Sequence, residues 1–264
     1  MSALIAAEWV KLRSVRSTLL GFGVAALAGV LTIWLVANAV GTWDGWSPER
    51  RAEARAADGS LPWIGDTTFT LAYLAIAISG TVAVTSEYAT GTIRTSLSGT
   101  PRRLRWMFAK CATVAVASLL TGLAVMVPSV LAAHAIVGDR QIGPPYVIGN
   151  GLSDALVWVS AGGLVAMVTG LVGLGIGLAL RSTALAVTVS AGLLVVPGVI
   201  VVTLPVSIAE KFTSVLLPNL AAQLAGSPHA IGSLSSPEAG VVLVCYLVVA
   251  LGAGALVLGR RDAG

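Results

Sequence analysis

From Thr18 to Val40 the chain runs for about 23 residues without a single charged side chain. A bilayer's hydrocarbon core needs about 20 such residues to be crossed by a helix. Five more apolar stretches follow, at about 67–86, 108–137, 152–180, 183–204 and 239–258. In lipid the backbone must satisfy its own hydrogen bonds, so each stretch is read as an α-helix. Composition supports this: 11% of residues are charged and mean hydropathy is +0.90, against about a quarter charged in soluble domains. The expected fold is an all-α integral membrane protein with six transmembrane helices in one domain over 1–264. The Lys11/Arg13/Arg16 cluster before span one, with Ala37-Asn38-Ala39 near its end, has the outline of a signal peptide. The apolar run exceeds the 7–15 residues typical of a signal core, so an uncleaved first span is expected.

Residues 2–16 form an amphipathic helical pattern. Leu4, Ile5, Trp9 and Leu12 recur at 3–4 residue spacing, with Glu8, Lys11 and Arg16 on the other face. An N-terminal interfacial helix is expected, with Trp9, Lys11, Arg13 and Arg16 at the headgroups; the basic residues could also simply orient span one. Outer loops are expected at 41–66, 138–151 and 205–238. Trp43, Trp46 and Trp63 in the first suit an interfacial belt. Pro205, Pro218, Pro228 and Pro237 cut the last into pieces too short to cross, read as broken, re-entrant or surface-lying half-helices. Gly173 and Gly177 in span four make a GxxxG spacing, a helix-packing face.

Orientation follows the basic residues. Eleven of the sixteen Lys and Arg fall on the side of the termini and of the 87–107 loop, with three of the twelve acids, Glu8, Glu87 and Asp262. That side nets +8 and the other −4. Both termini and the loop are therefore expected in the cytoplasm. This charge flanks spans, where insertion and anionic lipid account for it, and no aromatic platform for bases accompanies it; nucleic acid is not an expected partner.

Chemistry within the chain is sparse. No GxxxxGK[ST] phosphate loop occurs, and there are three lysines, Lys11, Lys110 and Lys211. Ion coupling would leave ionisable groups inside spans; His134 is the one clearly placed there, and an interfacial histidine near Asp139 is the simpler reading. No G-x-S-x-G or H-E-x-x-H motif supports catalysis. Cys111 and Cys245 form no metal or disulfide pattern.

The polar interruption between spans two and three carries the most information. It contains Glu87-Tyr88-Ala89-Thr90-Gly91-Thr92-Ile93, then Gly99-Thr100-Pro101-Arg102-Arg103, then Lys110 opening span three. In this order and placement it resembles the cytoplasmic loop of ABC-2 type transporter permeases, and the opening AAEWVKLRSVRST is similar to the N-terminal interfacial helix of actinobacterial members. Ser98-Gly99-Thr100 departs from the more apolar sequence usual there.

The resemblance implies a permease subunit of an ATP-binding-cassette exporter in the cell membrane, with no enzyme site or bound cofactor of its own. ATP and magnesium would belong to a separate ATPase subunit, and a second permease chain, identical or related, would complete the membrane core. The coupling residues it implies are Glu87, Tyr88, Gly91, Thr92, Ile93, Arg94, Leu97, Pro101, Arg102 and Arg103. Ile93 and Leu97 would offer an apolar edge to a groove on the ATPase. Arg94, Arg102 and Arg103 would pair with its acids or with lipid phosphate, and Glu87 would cap the short helix. The alternatives are a polytopic membrane protein without transport function, such as an immunity or sensor-associated subunit, and an intramembrane hydrolase.

Overall fold

A computed structural model describes residues 2–14, 16–56, 65–93, 103–138, 140, 152–226 and 234–260. Every regular element among them is helical. Six helices are long and apolar enough to cross a membrane: α2 (Arg16–Asp44), α4 (Gly65–Ala89), α5 (Arg103–Val137), α6 (Leu152–Leu180), α7 (Thr183–Val201) and α10 (Ser236–Arg260). Among the described residues four shorter helices accompany them: α1 (Ser2–Ser14), α3 (Pro48–Ala56), α8 (Val206–Ser214) and α9 (Leu220–Leu224), with a 3₁₀ turn at Leu217–Asn219. The expected fold class is thus what the structure shows. Helix α5 begins at Arg103 rather than near 108, because a helix can continue beyond its apolar run wherever its polar first turn stays solvated.

Helix α6 is the hub. It packs against α4, α5 and α10, and 72% of its most apolar window is buried, against 17% for α7 and 22% for α10. Glycines allow this. Gly173 and Gly177 lie one turn apart on the face toward α4, where a Cβ on Gly173 would fall 2.0 Å from Ala77 O and one on Gly177 2.6 Å from Val84 Cγ1. Gly175 is rotated from Gly173 by about 200° at 3.6 residues per turn, and a Cβ there would meet Ala250 O of α10 at 2.4 Å. Small residues on opposite faces bring two backbones close at once, which favours van der Waals packing where lipid supplies no hydrophobic force between helices. Thr81 fastens the junction: its Oγ1 donates to Gly173 O at 3.0 Å and lies 3.0 Å from Ser190 Oγ of α7.

The two ends of the bundle are closed differently. At one end Trp43 is 2% exposed and packs with Val36, Val40 and Val137. Arg51 Nε donates to Trp43 O at 3.0 Å, and Arg140 makes a two-pronged pair with Asp44 at 2.9 and 3.0 Å, pinning α2 to α5. Trp43 therefore seals a protein contact instead of sitting in an interfacial belt; Trp63 lies outside the described residues. The broken segment after α7 packs inward, burying Leu217, Leu220, Ala221 and Gln223 against α4, α6 and α10.

At the opposite end Leu12 of α1, Ile93, Trp106 of α5 and Leu258 of α10 share one buried cluster with Val84, Leu174 and Leu178. Both ends of the described chain and the beginning of the 87–107 loop thus meet at one end of the bundle.

Candidate functional site

The site is built where α4 ends. Gly91 takes a left-handed φ of +70° and its N–H bonds to Tyr88 O at 3.2 Å, a turn that a residue with a Cβ adopts only with strain. The last turn of α4 then points two adjacent side chains in different directions.

Glu87 turns toward α1 and α5. Its Oε1 accepts from Lys110 Nζ of α5 at 2.5 Å and from Lys11 Nζ of α1 at 3.5 Å. Glu8 of α1 completes a four-charge cluster. Its Oε1 accepts from Lys11 at 2.7 Å, and its Oε2 lies 2.7 Å from Lys110 Nζ as an ion pair, without the alignment of a hydrogen bond. Lys110 also donates to Ala83 O at 3.2 Å and lies 5.6 Å from the Trp106 ring centroid. Glu8, Glu87 and Lys110 are 2%, 7% and 4% exposed, whereas the Lys11 side chain is 41% exposed.

This burial decides what the cluster is for. Taking one ion out of water costs several kcal/mol, so a buried charge persists only when paired. Lys110 lies within a helix that crosses, and two carboxylates from two other helices meet it. Burial opposes ionisation of Glu8, but Lys110 and Lys11 outweigh it and hold the carboxyl below its ordinary value. Burial likewise lowers the Lys11 ammonium's affinity for its proton, and Glu8 and Glu87 reverse this, leaving it raised.

Tyr88 turns the other way. The Arg181 guanidinium sits 5.4 Å from its ring centroid, and Arg181 Nη2 donates to Val257 O of α10 at 3.1 Å. Arg181 holds a φ of 55° in the α6–α7 turn, an uncommon conformation for a side chain with a Cβ, over-determined here by the contacts to α4 and α10. Through Glu87 and Tyr88 the end of α4 is tied to α1, to α5, to the α6–α7 turn and to α10.

The other expected site residues fall as follows. Ile93 is 3% exposed inside the cluster with Leu12 and Trp106, so it does not offer an apolar edge outward; an apolar side chain one turn from a hydrophobic cluster gains more by joining it. Glu87 Oε1 is engaged by Lys110 and Lys11, and the short helix that Glu87 was expected to cap continues beyond Ile93, outside the described residues. Thr90 Oγ1 and Thr92 Oγ1 lie 2.9 Å apart on the exposed surface. Trp9 packs partly buried against the same cluster as Ile93, and Arg13 is exposed. Arg16 and Arg103 begin α2 and α5, while Arg94, Leu97, Pro101 and Arg102 lie outside the described residues. Sequence reasoning missed Glu8 and Lys110 as members of the site. A lysine inside an apolar span was the available signal, since it demands a nearby acid.

Beside the cluster is a cavity of about 350 Å³, lined by its four charged residues and by Leu12, Ser14, Ala83, Ser86, Thr90, Thr92 and Thr113. A larger groove, about 600 Å³, lies between α6, α7 and α10 and is apolar throughout, with Val172, Leu193, Val242 and Tyr246 among its walls. No group of three or more potential metal ligands occurs among the described residues.

A family model described as ABC-2 family transporter protein matches residues 4–190, spanning α1 through the first part of α7. The chain belongs to the ABC-2 transporter family. The family match and the six apolar helices agree on a multi-pass membrane protein, normally the subunit without an ATPase site of its own. The whole four-charge cluster lies inside the matched region. No curated protein matches the chain.

Proposed function

We propose that this ABC-2 family member is the permease subunit of an exporter in the plasma membrane, with both termini cytoplasmic and the 87–107 segment seated on a separate ATPase. The observation that carries the reading is the position of Glu87 and Tyr88. They form the foot of that segment, and their contacts reach α1, α5 and the α6–α7 turn, where Arg181 bonds in turn to α10. A displacement of the segment by a closing ATPase is then delivered to several helices together. Packed interfaces switch between discrete arrangements more readily than they deform, so such a push favours rocking of the bundle and alternating access.

In this account Ile93 anchors the segment to the bundle, and Arg94, Leu97 and Arg102 face the ATPase. Two permease chains, identical or related, form the core, and ATP and magnesium are held by the partner. The test is a Leu97→Asp, Arg102→Glu double variant. It should insert normally, as judged by protease mapping of the loops, and lose the ATPase on purification in mild detergent. Undiminished ATPase recovery would rule out docking through this segment.

A further inference from the structure

The cavity beside the four-charge cluster has a feature that its own ion pairs leave unused. Glu87 is 7% exposed and lines the cavity. Its Oε1 receives both lysines, while its Oε2 is buried and accepts no hydrogen bond. A buried carboxylate oxygen without a donor costs more than an ordinary hydrogen bond returns, so the site favours an incoming donor. The volume, about 350 Å³, is roughly an order of magnitude beyond what one water requires and lies within the range of small-ligand sites.

Charge then selects the ligand. The lining holds two carboxylates and two ammonium groups, formally neutral together. A simple cation or anion would leave an uncompensated charge in a largely desolvated place, which is unfavourable. A zwitterion would not. Lys11 is the half-exposed member of the cluster, whereas Glu87, like Glu8 and Lys110, is buried, so the lining offers one ammonium that solvent reaches and a carboxylate that it does not. Ser14, Ser86, Thr90 and Thr92 add hydroxyls to the cavity wall.

We propose that this cavity binds a small zwitterion with a primary ammonium beside an anionic group, the chemistry of a phosphoethanolamine headgroup. The ammonium donates to Glu87 once the carboxylate turns to bring the enclosed Oε2 to the cavity wall, and the phosphate lies against Lys11. A quaternary ammonium has no N–H to donate, so phosphocholine is discriminated against. Because the cluster joins α1 to α4 and α5, an occupied site would hold those helices together.

Native mass spectrometry of the delipidated protein tests this with phosphatidylethanolamine, phosphatidylcholine and phosphatidylglycerol of matched chains, and with soluble phosphoethanolamine as competitor. Phosphatidylethanolamine should be retained at least about tenfold over the other two lipids, a difference of about 1.4 kcal/mol. Ser86→Phe fills the cavity without removing a charge and should abolish the preference. Thr90→Phe, at an exposed position on the rim, should reduce it in a variant certain to tolerate bulk better. Competition by soluble phosphoethanolamine would identify the headgroup alone as sufficient; lack of competition with the lipid preference intact would identify a lipid site. Equal retention of the three lipids, or a preference surviving both variants, would overturn the proposal. None of these readouts involves an ATPase, so they stand or fall separately from the transport reading.

Discussion

Replacing Lys110 by methionine probes the cluster most sharply. The substitution preserves much of the apolar stem but leaves Glu8 and Glu87, 2% and 7% exposed, with Lys11 as their remaining partner in the cluster. Removing one member of a buried ion pair costs about 3–5 kcal/mol, chiefly because the other charge stays behind. For a chain of this size each kcal/mol moves the midpoint by about 2–4 °C, so a fall on the order of 10 °C in apparent melting temperature is expected in detergent. The triple variant Lys110→Met, Glu8→Gln, Glu87→Gln removes the stranded charges together and should recover most of the loss, since buried pairs are often replaceable by neutral groups at little cost. The assay is thermal unfolding followed by tryptophan fluorescence, aided by Trp106 beside Lys110. A Lys110→Met protein melting within about 2 °C of wild type would refute the reasoning, as would a triple variant no better than the single one.

Other expectations follow from the same geometry. Gly173→Val should destabilise by about 1–3 kcal/mol or more, because its Cβ would fall 2.0 Å from Ala77 O, while Gly192→Ala, with nothing within 4 Å, should leave melting unchanged. Asp44→Asn breaks a pair that is half exposed on both sides, and should not measurably shift the same melt. The docking of α1 should depend on pH at both extremes. Glu8 is held below its ordinary 4.5, so its contribution is complete above that value and is lost as pH falls through the lowered one. Lys11 is raised above 10.5, so its contribution is complete below that value and is lost as pH rises through the raised one. Amide exchange in α1 should therefore be slowest relative to a free peptide between these limits; protection unchanged well below pH 4 would contradict the role of Glu8.

The class of protein was legible in the sequence because the bilayer imposes it. Uncharged runs of span length and the uneven distribution of Lys and Arg are local or summed properties. The cluster of Leu12, Ile93 and Leu258 at one end of the bundle agrees with the six-span count that put the termini together. Pairings between distant elements were not legible. Glu8 sits with Lys11 on what reads as the polar face of α1, and nothing within thirteen residues reveals that Lys110 will need it. The lysine itself was the hint, since the acids assigned to its side of the membrane were Glu8, Glu87 and Asp262. Ile93 was ambiguous for a related reason: one apolar residue in a polar stretch can face a partner or its own bundle, and only the cluster around Trp106 decides. The glycines of α6 marked close packing, but which faces met α4 and α10 depended on the arrangement of three helices.

The most direct test of the central claim is affinity purification of the tagged chain from its native membrane in mild detergent, with mass spectrometry of what accompanies it. The account predicts a stoichiometric partner carrying a GxxxxGK[ST] phosphate-binding loop. A preparation free of any such ATPase, even after crosslinking in the membrane, would contradict it.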